Sequence, residues 1–422
     1  MPSNPRIAVI GLGYVGLPLA VALAARHLVM GYDVNVKRVQ ELKEGIEHTG
    51  EVDPGILRAS PLRLTTDPAA LAGWDVYIVT VPTPVDHANK PDLSAVRAAC
   101  ETVGRTMRKG ATVVLESTVY PGVTEDVCGP ILAKTSGLRC GVDFFLGYSP
   151  ERINPGDKVH TVDRITKVIA GQTPAVTETL KGIYGSITTG GVFVARDIKT
   201  AEAAKVIENA QRDINIAFVN EVAMIFDRLG ISIYDVLEAS ATKWNFLKFQ
   251  PGLVGGHCIG VDPFYLAACA AKLGHDPAVV LAGRQINDSM GAFIARRVND
   301  QLTAPADVLV LGLTFKENVR DLRNSKAVDV IKGLNGFGHH VAVHDPLADS
   351  AEAKALYGVD LLPSLSGINA FDAVVGLVPH AAYVTLSGEV LSAMVRSGGL
   401  IADIKGMWRH LVFGNGVRRW QI

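Results

Sequence analysis

Three glycines near the start of the chain constrain the fold more than any other feature of the sequence. Gly11, Gly13 and Gly16 separate an apolar, β-branched run at residues 6–10 from a stretch rich in Ala and Leu. In a dinucleotide-binding strand–turn–helix unit, the first glycine permits the turn, the second lets a pyrophosphate approach, and the third allows close helix packing. The spacing predicts such a unit in a parallel sheet, and a tight turn without a ligand is the alternative.

Asp33 ends the next apolar run, at the position where a carboxylate accepts hydrogen bonds from the ribose hydroxyls of a dinucleotide. A carboxylate there would repel a 2′-phosphate, so the sequence favours NAD over NADP. The cationic side chains of Lys37 and Arg38 follow closely in the sequence and act against that preference.

Short β-branched runs alternate with helical stretches in the first and last parts of the 422-residue chain. This alternation is typical of βαβ units and parallel sheets. We therefore predict an α/β fold in which two Rossmann-like, doubly wound parallel-sheet domains are joined by a long central helix. The predicted domains are an NAD-binding domain at residues 1–198, a helical connecting and dimerisation domain at 199–303, and a second Rossmann-like domain at 304–422.

The central helix is predicted from about residue 200 to 229, a stretch without Pro or Gly that stops at Gly230. Thr200 is the expected N-cap, with Glu202 in the first turn. The second half is apolar on nearly every side, which is typical of a helix buried between domains or between subunits. We expect this helix to belong to a homodimer interface.

The balance of positive and negative charges argues against some classes of binding partner. Lys and Arg total 41 against 42 Asp and Glu, a formal net charge of -1, which argues against general affinity for nucleic acid or an anionic membrane. No uninterrupted apolar run reaches the roughly 18 residues of a membrane span, and no secretory signal is visible. Five cysteines without a Cys-x-x-Cys pair argue against a disulfide framework and a zinc ribbon, so we expect the reducing cytoplasm and no metal.

Cys258 lies in the most informative segment, Pro251-Gly-Leu-Val-Gly-Gly-His-Cys-Ile-Gly-Val-Asp262, where four glycines surround one cysteine. Glycines let backbone and substrate crowd the sulfur, whereas a structural cysteine more often lies on an apolar face. Attack requires the thiolate, which a nearby Lys ammonium favours. His257 is not expected to pair with the sulfur, because adjacent side chains of an extended segment point to opposite faces.

Lys205, Asn209 and Arg212 share one face of the central helix, because they are four and then three residues apart. The ordinary interpretation of such a face is a solvated one, paired with Glu202 and Glu208. Two features act against it: the helix looks buried further along, and Asn is a poor mid-helix residue.

A nicotinamide site together with a nucleophilic cysteine suggests aldehyde-level oxidation through a covalent intermediate. A thiolate would add to an aldehyde, the thiohemiacetal would lose hydride to give a thioester, and water would release an acid. Lys205 and Asn209 could stabilise the oxyanions. Two further segments, around Thr83 and Thr118, follow predicted strands where ligands bind in open α/β sheets, although ordinary turn chemistry explains them equally well.

With these residues assembled, the sequence resembles the nucleotide-sugar (UDP-glucose/UDP-mannose) 6-dehydrogenase family over essentially its whole length, and within it the UDP-N-acetylglucosamine 6-dehydrogenases of Vi-type polysaccharide synthesis. The motifs that carry the resemblance, in family order, are Gly11 to Gly16, Glu116-Ser-Thr118, Ser149-Pro-Glu151-Arg152, Lys205 with Asn209, Gly255-Gly-His-Cys258, and Gly312-Leu-Thr-Phe-Lys316 through Arg323-Asn-Ser.

The resemblance implies a role for each matching position. It makes the last domain UDP-sugar-binding, Cys258 the nucleophile, Lys205 and Asn209 the oxyanion stabilisers that also contact substrate, and Glu151 an aid to hydrolysis. It makes Asp262 a carboxylate tied to water or base chemistry, and Thr118 is the remaining catalytic match. The cofactor-binding matches are Gly11, Gly13, Tyr14, Val15, Gly16, Asp33, Arg38, Thr83, Thr118 and Arg323. The further substrate-binding matches are Arg152, Ile153, Arg212, Gly255, Phe315 and Lys316.

Two positions depart from the family pattern. UDP-glucose enzymes carry a second Glu where this chain has Pro155, and close relatives tend to have Arg where it has Gln250. The first departure acts against a UDP-glucose substrate, and the second implies an altered substrate contact.

The hypothesis from the sequence is therefore a cytoplasmic, NAD-dependent UDP-N-acetylhexosamine 6-dehydrogenase that supplies a surface-polysaccharide precursor. UDP-N-acetylglucosamine is the expected substrate, oxidised to the uronate with two NAD and one water. UDP-GalNAc, UDP-ManNAc and UDP-glucose remain alternatives, because motifs do not encode the epimer. Two other functions are the rival hypotheses. A one-step hydroxyacid dehydrogenase would need no thiol, and a non-catalytic module that senses NAD or a UDP-sugar would bind its ligand without turnover.

Overall fold

A computed structural model describes residues 4–153, 157, 159–368, 370–414 and 416–422. The chain divides into two compact units. The first comprises Met1–Glu208 and Phe264–Asp276, and the second comprises Asn209–Pro263 and Pro277–Ile422. In the described part of the chain, no helix has the length and apolar character needed to cross a membrane.

The first unit is built on an eight-stranded sheet. Its strands, in chain order, are β1 Ile7–Ile10, β2 Val29–Tyr32, β3 Arg63–Thr65, β4 Val76–Val79, β5 Thr112–Leu115, β6 Phe145–Tyr148, β7 Lys167–Gly171 and β8 Val192–Val194. The spatial order is β3-β2-β1-β4-β5-β6-β7-β8, with β1 to β6 parallel and β7 antiparallel to β6. Strand order reverses beside β1, so the carboxyl ends of β1 and β4 flank the crevice where such sheets bind ligands.

The central strands of this sheet are buried along their full length, because helices cover both faces. Such strands appear in the sequence as short, unbroken apolar runs. The helices of the first unit are α1 Gly16–Ala24, α2 Val36–Lys43, α3 Pro54–Ala59, α4 Ser94–Thr106, α5 Gly129–Ser136 and α6 Pro174–Gly185, with a 3₁₀ turn at Pro68–Leu71 and a π-helical turn at Val123–Cys128.

The central helix is α7, Ile198–Leu229, and it starts earlier than the sequence predicted. The side chain of Asp197, not of Thr200, caps it: the Thr200 backbone N–H donates to Asp197 Oδ1 at 2.7 Å. A short carboxylate before the first turn captures an N–H that lacks a partner within the helix, which moves the start upstream.

The second unit carries a five-stranded, wholly parallel sheet of order β10-β9-β11-β12-β13. Its strands are β9 Asp307–Leu311, β10 His340–His344, β11 Phe371–Gly376, β12 Val395–Asp403 and β13 Arg418–Gln421. The remaining helices of the chain are α8 Ile233–Ser240, α9 Asp262–Lys272, α10 Ala278–Asn299, α11 Ala327–Gly336, α12 Ser350–Tyr357, α13 Ala381–Val384 and α14 Gly388–Ala393. The predicted fold class, with two Rossmann-like sheets and a long central helix, is confirmed.

Candidate active site

The glycine turn after β1 has the shape that a dinucleotide requires. Gly11 adopts a φ of +99°, and a Cβ on Gly16 would lie 1.9 Å from the Gly11 carbonyl oxygen, so α1 begins directly against the turn. A Cβ on Gly13 would meet nothing within 4 Å, which leaves this side of the turn open to a phosphate. The N-terminal N–H groups of α1 complete a site suited to the pyrophosphate of NAD.

Asp33 lies against the same turn. One carboxylate oxygen accepts the Leu12 N–H at 2.8 Å and the other accepts the Asn35 N–H at 2.8 Å. Each oxygen has a second lone pair, so the carboxylate can still accept from ribose hydroxyls. The residues at this turn therefore fit NAD.

Arg38 is held in place by two acceptors. Its guanidinium donates to Glu47 Oε1 at 2.9 Å and to the Leu12 carbonyl at 3.2 Å, and its side chain is largely buried. Although burial opposes it, hydrogen bonds from Thr49 and Arg38 hold the pKa of Glu47 below its ordinary value. The ion pair between Arg38 and Glu47 therefore persists at neutral pH.

The loops after β4 and β5 lie at the carboxyl edge of the sheet and carry Thr83 and Thr118, both half-buried. The Tyr265 hydroxyl donates to the Pro84 carbonyl at 3.1 Å, and the Ser117 hydroxyl donates to the Val81 carbonyl at 2.6 Å. The two segments are therefore tied to their surroundings beyond what ordinary turns require.

Glu202 of α7 anchors the end of the second loop. Its buried carboxylate accepts the Gly122 N–H at 2.5 Å, the Thr124 N–H at 2.9 Å and the Thr124 hydroxyl at 2.6 Å. Burial raises the pKa of Glu202 to about 7, against the opposing effect of these hydrogen bonds. Glu202 is thus not part of a solvated face, and the ordinary interpretation of this helix face fails here.

Lys205 also departs from a solvated face. It is only 6% exposed, and among the described residues its ammonium makes no hydrogen bond or ion pair. A largely buried Lys whose ammonium has no partner among the described residues is suited to binding an anionic group. Arg212, by contrast, is exposed.

Glu151 follows β6 and is 7% exposed. One carboxylate oxygen accepts the Ile153 N–H, and Arg152 pairs with Glu208 at 2.9 Å. Pro155, the departure from the UDP-glucose pattern, lies outside the described residues.

Cys258 occupies a tight turn that leads into α9. The Asp262 N–H donates to the Cys258 carbonyl at 2.8 Å, and Asn209 Nδ2 donates to Asp262 Oδ2 at 2.5 Å. The expectation of an extended segment around His257 is wrong, because these residues form turns. The Nε2 atom of His257 lies 3.2 Å from Asp321 Oδ2.

The buried side-chain amide of Asn220 holds the segment that precedes the cysteine turn. Asn220 Oδ1 accepts the Gly252 N–H at 2.8 Å and Asn220 Nδ2 donates to the Gly252 carbonyl at 3.0 Å. The same Nδ2 also donates to Asn287 Oδ1 at 2.8 Å. This reciprocal pair fixes the chain six residues before Cys258.

The glycines beside the cysteine are required by close contacts. A Cβ on Gly256 would lie 2.7 Å from the Phe315 ring, and one on Gly255 would lie 2.4 Å from the Asn324 carbonyl. Gly256 also adopts a φ of +80°. The ring of Phe315 therefore packs directly on the backbone next to Cys258.

A small cleft that is open to solvent lies in the second unit. Gly255, Phe315 and Lys316 line it, together with Leu253 and Lys405. Lys405 donates to the Pro251 carbonyl at 3.0 Å, and burial lowers its pKa with partial opposition from Glu317. Three lysines, Lys316, Lys326 and Lys405, line this partly apolar cleft together with Glu317, and they suit an anionic ligand with a planar ring.

Arg323 is exposed at the edge of this unit and donates through Nε and Nη2 to Asp321, at 3.0 and 2.8 Å. Among the described residues, no group of three or more His, Cys, Asp or Glu side chains could hold a metal ion.

The structure distributes the predicted site residues between the two units. In the first unit lie Gly11, Gly13, Tyr14, Val15, Gly16, Asp33, Arg38, Thr83, Thr118, Glu151, Arg152, Ile153 and Lys205. In the second unit lie Asn209, Arg212, Gly255, Cys258, Asp262, Phe315, Lys316 and Arg323.

Three domain models of one protein family match the chain in order. They are the NAD binding domain of the UDP-glucose/GDP-mannose dehydrogenase family at residues 5–188, its central domain at 199–289 and its UDP binding domain at 309–410. The chain belongs to the UDP-glucose/GDP-mannose dehydrogenase family. It is an NAD-dependent UDP-sugar dehydrogenase.

Relatives within the family match over almost their full length. The chain is 50% identical to Protein CapL of Staphylococcus aureus, over 99% of this chain and 100% of that protein. It is 47% identical to a UDP-N-acetyl-D-glucosamine 6-dehydrogenase of Pseudomonas aeruginosa, over 95% and 96%. The solved UDP-D-ManNAc dehydrogenase of Pyrococcus horikoshii is 31% identical, with a TM-score of 0.88 over 98% of each chain.

Several residues of this family member were not found by sequence reasoning. Lys405 follows β12 and lines the cleft, and the rule that ligands bind at the carboxyl ends of parallel strands could have located it. Asn220 and Glu202 carry no local signal, because each acts on backbone groups far away in the sequence.

Proposed function

We propose that the chain oxidises C6 of UDP-N-acetylglucosamine to the uronate, in two oxidations with a thiohemiacetal and then a thioester on Cys258, and supplies a precursor for surface polysaccharide. The names of relatives at 47% identity support the substrate. UDP-GalNAc and UDP-ManNAc differ from it at single stereocentres, and UDP-glucose differs in the C2 substituent; these three are the alternatives to be tested.

NAD, when bound, supplies a hydride acceptor for each of the two oxidations. In our proposal, the thiolate of Cys258 bonds to the aldehyde carbon, and the resulting thiohemiacetal becomes a thioester. Water then adds to the thioester carbon, the carbon–sulfur bond breaks, and acid and thiol are released.

The remaining residues stabilise charge and position. The Lys205 ammonium and the Asn209 amide are proposed to donate to the C6 oxygen as negative charge develops there. Asp262 orients Asn209 through the hydrogen bond between them, and Glu151 accepts a proton from the attacking water. Thr118 contacts both cofactor and substrate. We also propose that the cofactor is bound by Tyr14, Val15, Arg38, Thr83 and Arg323 besides the glycine turn and Asp33. The substrate is bound by Arg152, Ile153, Arg212, Gly255, Phe315 and Lys316.

One observation carries this proposal: Asn209 is hydrogen-bonded at 2.5 Å to Asp262, whose N–H is bonded to the carbonyl of Cys258. A donor on α7, a carboxylate and the cysteine turn are thereby joined into one rigid arrangement. Lys205, buried and one helical turn before Asn209, supplies the cation.

We further infer a homodimer, three domains at 1–198, 199–303 and 304–422, and a cytoplasmic location. Phe218, Ile225 and Leu229 of α7 recur seven and four residues apart and are 61%, 48% and 63% exposed. An exposed apolar stripe of this kind supports a partner subunit on that face. The five cysteines are all free, which supports a reducing compartment.

The stoichiometry of NADH tests the mechanism. We expect about two NADH per UDP-sugar consumed, with UDP-N-acetylglucosamine giving the highest kcat/KM in a panel of the four UDP-sugars. Cys258→Ala is expected to produce no acid, whereas Cys140→Ala, at another partly exposed cysteine, retains full activity. One NADH per sugar, or acid production by Cys258→Ala, would refute the covalent route, and thermal stabilisation by ligands without turnover would indicate a sensing module.

A further inference from the structure

The first strand of the second sheet ends in a glycine turn like that of the first sheet. Gly312 follows β9 with a φ of +102°, and Gly11 follows β1 with a φ of +99°. Asp345 follows β10, and its Oδ2 accepts the Leu313 N–H at 2.7 Å, as Asp33 Oδ2 accepts the N–H of the residue after Gly11. The two turns therefore share one backbone arrangement, and the groups around each carboxylate distinguish them.

The carboxylate of Asp345 has no capacity left for a ligand hydroxyl. Its Oδ2 also accepts the Thr314 N–H at 2.9 Å and the Thr314 hydroxyl at 3.2 Å, and His380 Nε2 lies 3.0 Å away. Its Oδ1 accepts the N–H groups of Leu347 and Ala348 at 2.9 and 3.1 Å. Each carboxylate oxygen has two lone pairs, so these donors already fill both oxygens. Asp345 therefore holds the protein itself and does not bind a ribose.

His380 lies next to this carboxylate and is 1% exposed. The Asn318 backbone N–H donates to His380 Nδ1 at 3.0 Å. Because a backbone N–H can only donate, Nδ1 carries no proton, and the ring proton is on Nε2, where it faces Asp345 Oδ2. The ring therefore uses one nitrogen as donor and the other as acceptor.

The segments that His380 joins both line the cleft of the second unit. Residues 314–317 belong to the loop after β9, and residues 377–379 belong to the loop after β11. A second bond joins the same segments, because the Ala381 N–H donates to Asn318 Oδ1 at 3.0 Å. A reciprocal pair of hydrogen bonds thus fixes one lining segment against the other.

The loop after β9 carries two of the proposed substrate contacts. Phe315 and Lys316 lie between Thr314 and Asn318, and the hydrogen bonds described above hold both of these ends. Asn318 is exposed, so packing contributes little at its end of the loop. A short loop that is fixed at both ends loses little conformational freedom when a ligand binds, which favours affinity.

We propose that His380 is a positioning residue that pre-organises the loop of Phe315 and Lys316 to bind the nucleoside diphosphate part of the substrate. The inference rests on the proposed function, in which those two residues contact the UDP-sugar. His380 acts on the loop through Nδ1, and Asp345 orients the ring by accepting a hydrogen bond from Nε2. Loss of the bond at Nδ1 weakens binding in the ground state and the transition state alike, so KM rises while kcat is retained.

Two substitutions of His380 separate its two hydrogen bonds. His380→Asn places an amide oxygen near the position of Nδ1 but does not reach Asp345, whereas His380→Gln reaches Asp345 and leaves the Asn318 N–H without an acceptor. We expect His380→Gln to raise the Kd of UDP and the KM for UDP-sugar about tenfold, with kcat and the Kd of NAD unchanged. We expect His380→Asn to keep the Kd of UDP within about twofold of the wild type. Isothermal titration calorimetry with UDP alone measures these affinities.

His339→Gln is the matched control. His339 is another buried histidine, with Nε2 3.2 Å from Asn299 Oδ1, but it precedes β10 at the amino end of the sheet. Because ligands bind at the carboxyl ends of such strands, His339→Gln should leave the Kd of UDP unchanged. An unchanged Kd in His380→Gln, or an equally large rise in His380→Asn, would overturn the inference.

An exposed substitution keeps the inference testable if His380→Gln does not fold. Asn318→Gly retains the positive φ of +58° and removes the bond to the Ala381 N–H. The Kd of UDP should then rise at least about threefold. An unchanged Kd of UDP in Asn318→Gly would overturn the inference.

Lys316→Met tests the proposed substrate site separately. Removing this ammonium should raise the Kd of UDP if the cleft binds the nucleotide, whatever the His380 variants show. An unchanged Kd in Lys316→Met would remove the cleft from the proposed function, and the inference would fall with it. A raised Kd in Lys316→Met together with an unchanged Kd in His380→Gln would refute the inference alone.

Discussion

Glu202 makes the stability of the first unit depend on pH in a direction that can be worked out. Burial raises the pKa of its carboxyl to about 7 in the folded chain, against an ordinary value of 4.5. The folded state therefore binds the proton more tightly than the unfolded state. The contribution to the free energy of unfolding is fully present below about pH 4.5 and is lost as pH rises through about 7.

The magnitude follows from proton linkage. With these two pKa values, integration from pH 5 to pH 8 gives a loss of roughly 2.5 kcal/mol at this site. Glu202→Gln cannot titrate, so the difference in unfolding free energy between wild type and Glu202→Gln should fall by that amount over the same range.

Hydrogen-exchange mass spectrometry measures the effect where it arises. Peptides from residues 117–128 and 198–208 report the opening free energy of the loop and helix that Glu202 joins, and comparing the two proteins at the same pH cancels the intrinsic exchange rate. Glu221→Gln, at an exposed position on the same helix, is the matched control and should show no such change. A difference that is constant between pH 5 and pH 8 would refute the reasoning.

Two further predictions concern binding. Gly256→Ala adds a side chain at a positive φ, which costs roughly 1–2 kcal/mol, and the new Cβ clashes with the Phe315 ring. The KM for UDP-sugar should therefore rise at least about tenfold, while the Kd of NAD should be unchanged. Gly274→Ala, with a similar φ of +73° but nothing near its Cβ, should leave KM unchanged, and an equal rise in both would contradict a role for the clash. Asp33→Ala should weaken NAD about tenfold by isothermal titration calorimetry, because charge-assisted hydrogen bonds to the ribose are lost, and undiminished NAD affinity would exclude that contact.

Local features of the chain could be predicted because neighbouring residues encode them. The glycine turn, the buried apolar runs and the length of α7 follow from spacing and composition within short windows. Two predictions were wrong, and in both cases the cause lies in residues next to the predicted feature. The start of α7 moved to Ile198 because Asp197 supplies the cap, and the assumption of an extended segment at His257 failed because the surrounding glycines permit turns.

The sequence by itself therefore determined the fold class, the cofactor turn and the family, since each depends on residue types at short, regular spacing. Only the tertiary structure decided that Glu202 pins a loop about 80 residues away, that Asn220 holds Gly252, and that Lys167 pairs with Glu116. These pairings arise where strand order and helix packing bring distant segments to one place. A buried charge needs an oppositely charged or hydrogen-bonding group close to it in space. Which group lies there depends on the fold, and no local sequence pattern predicts it.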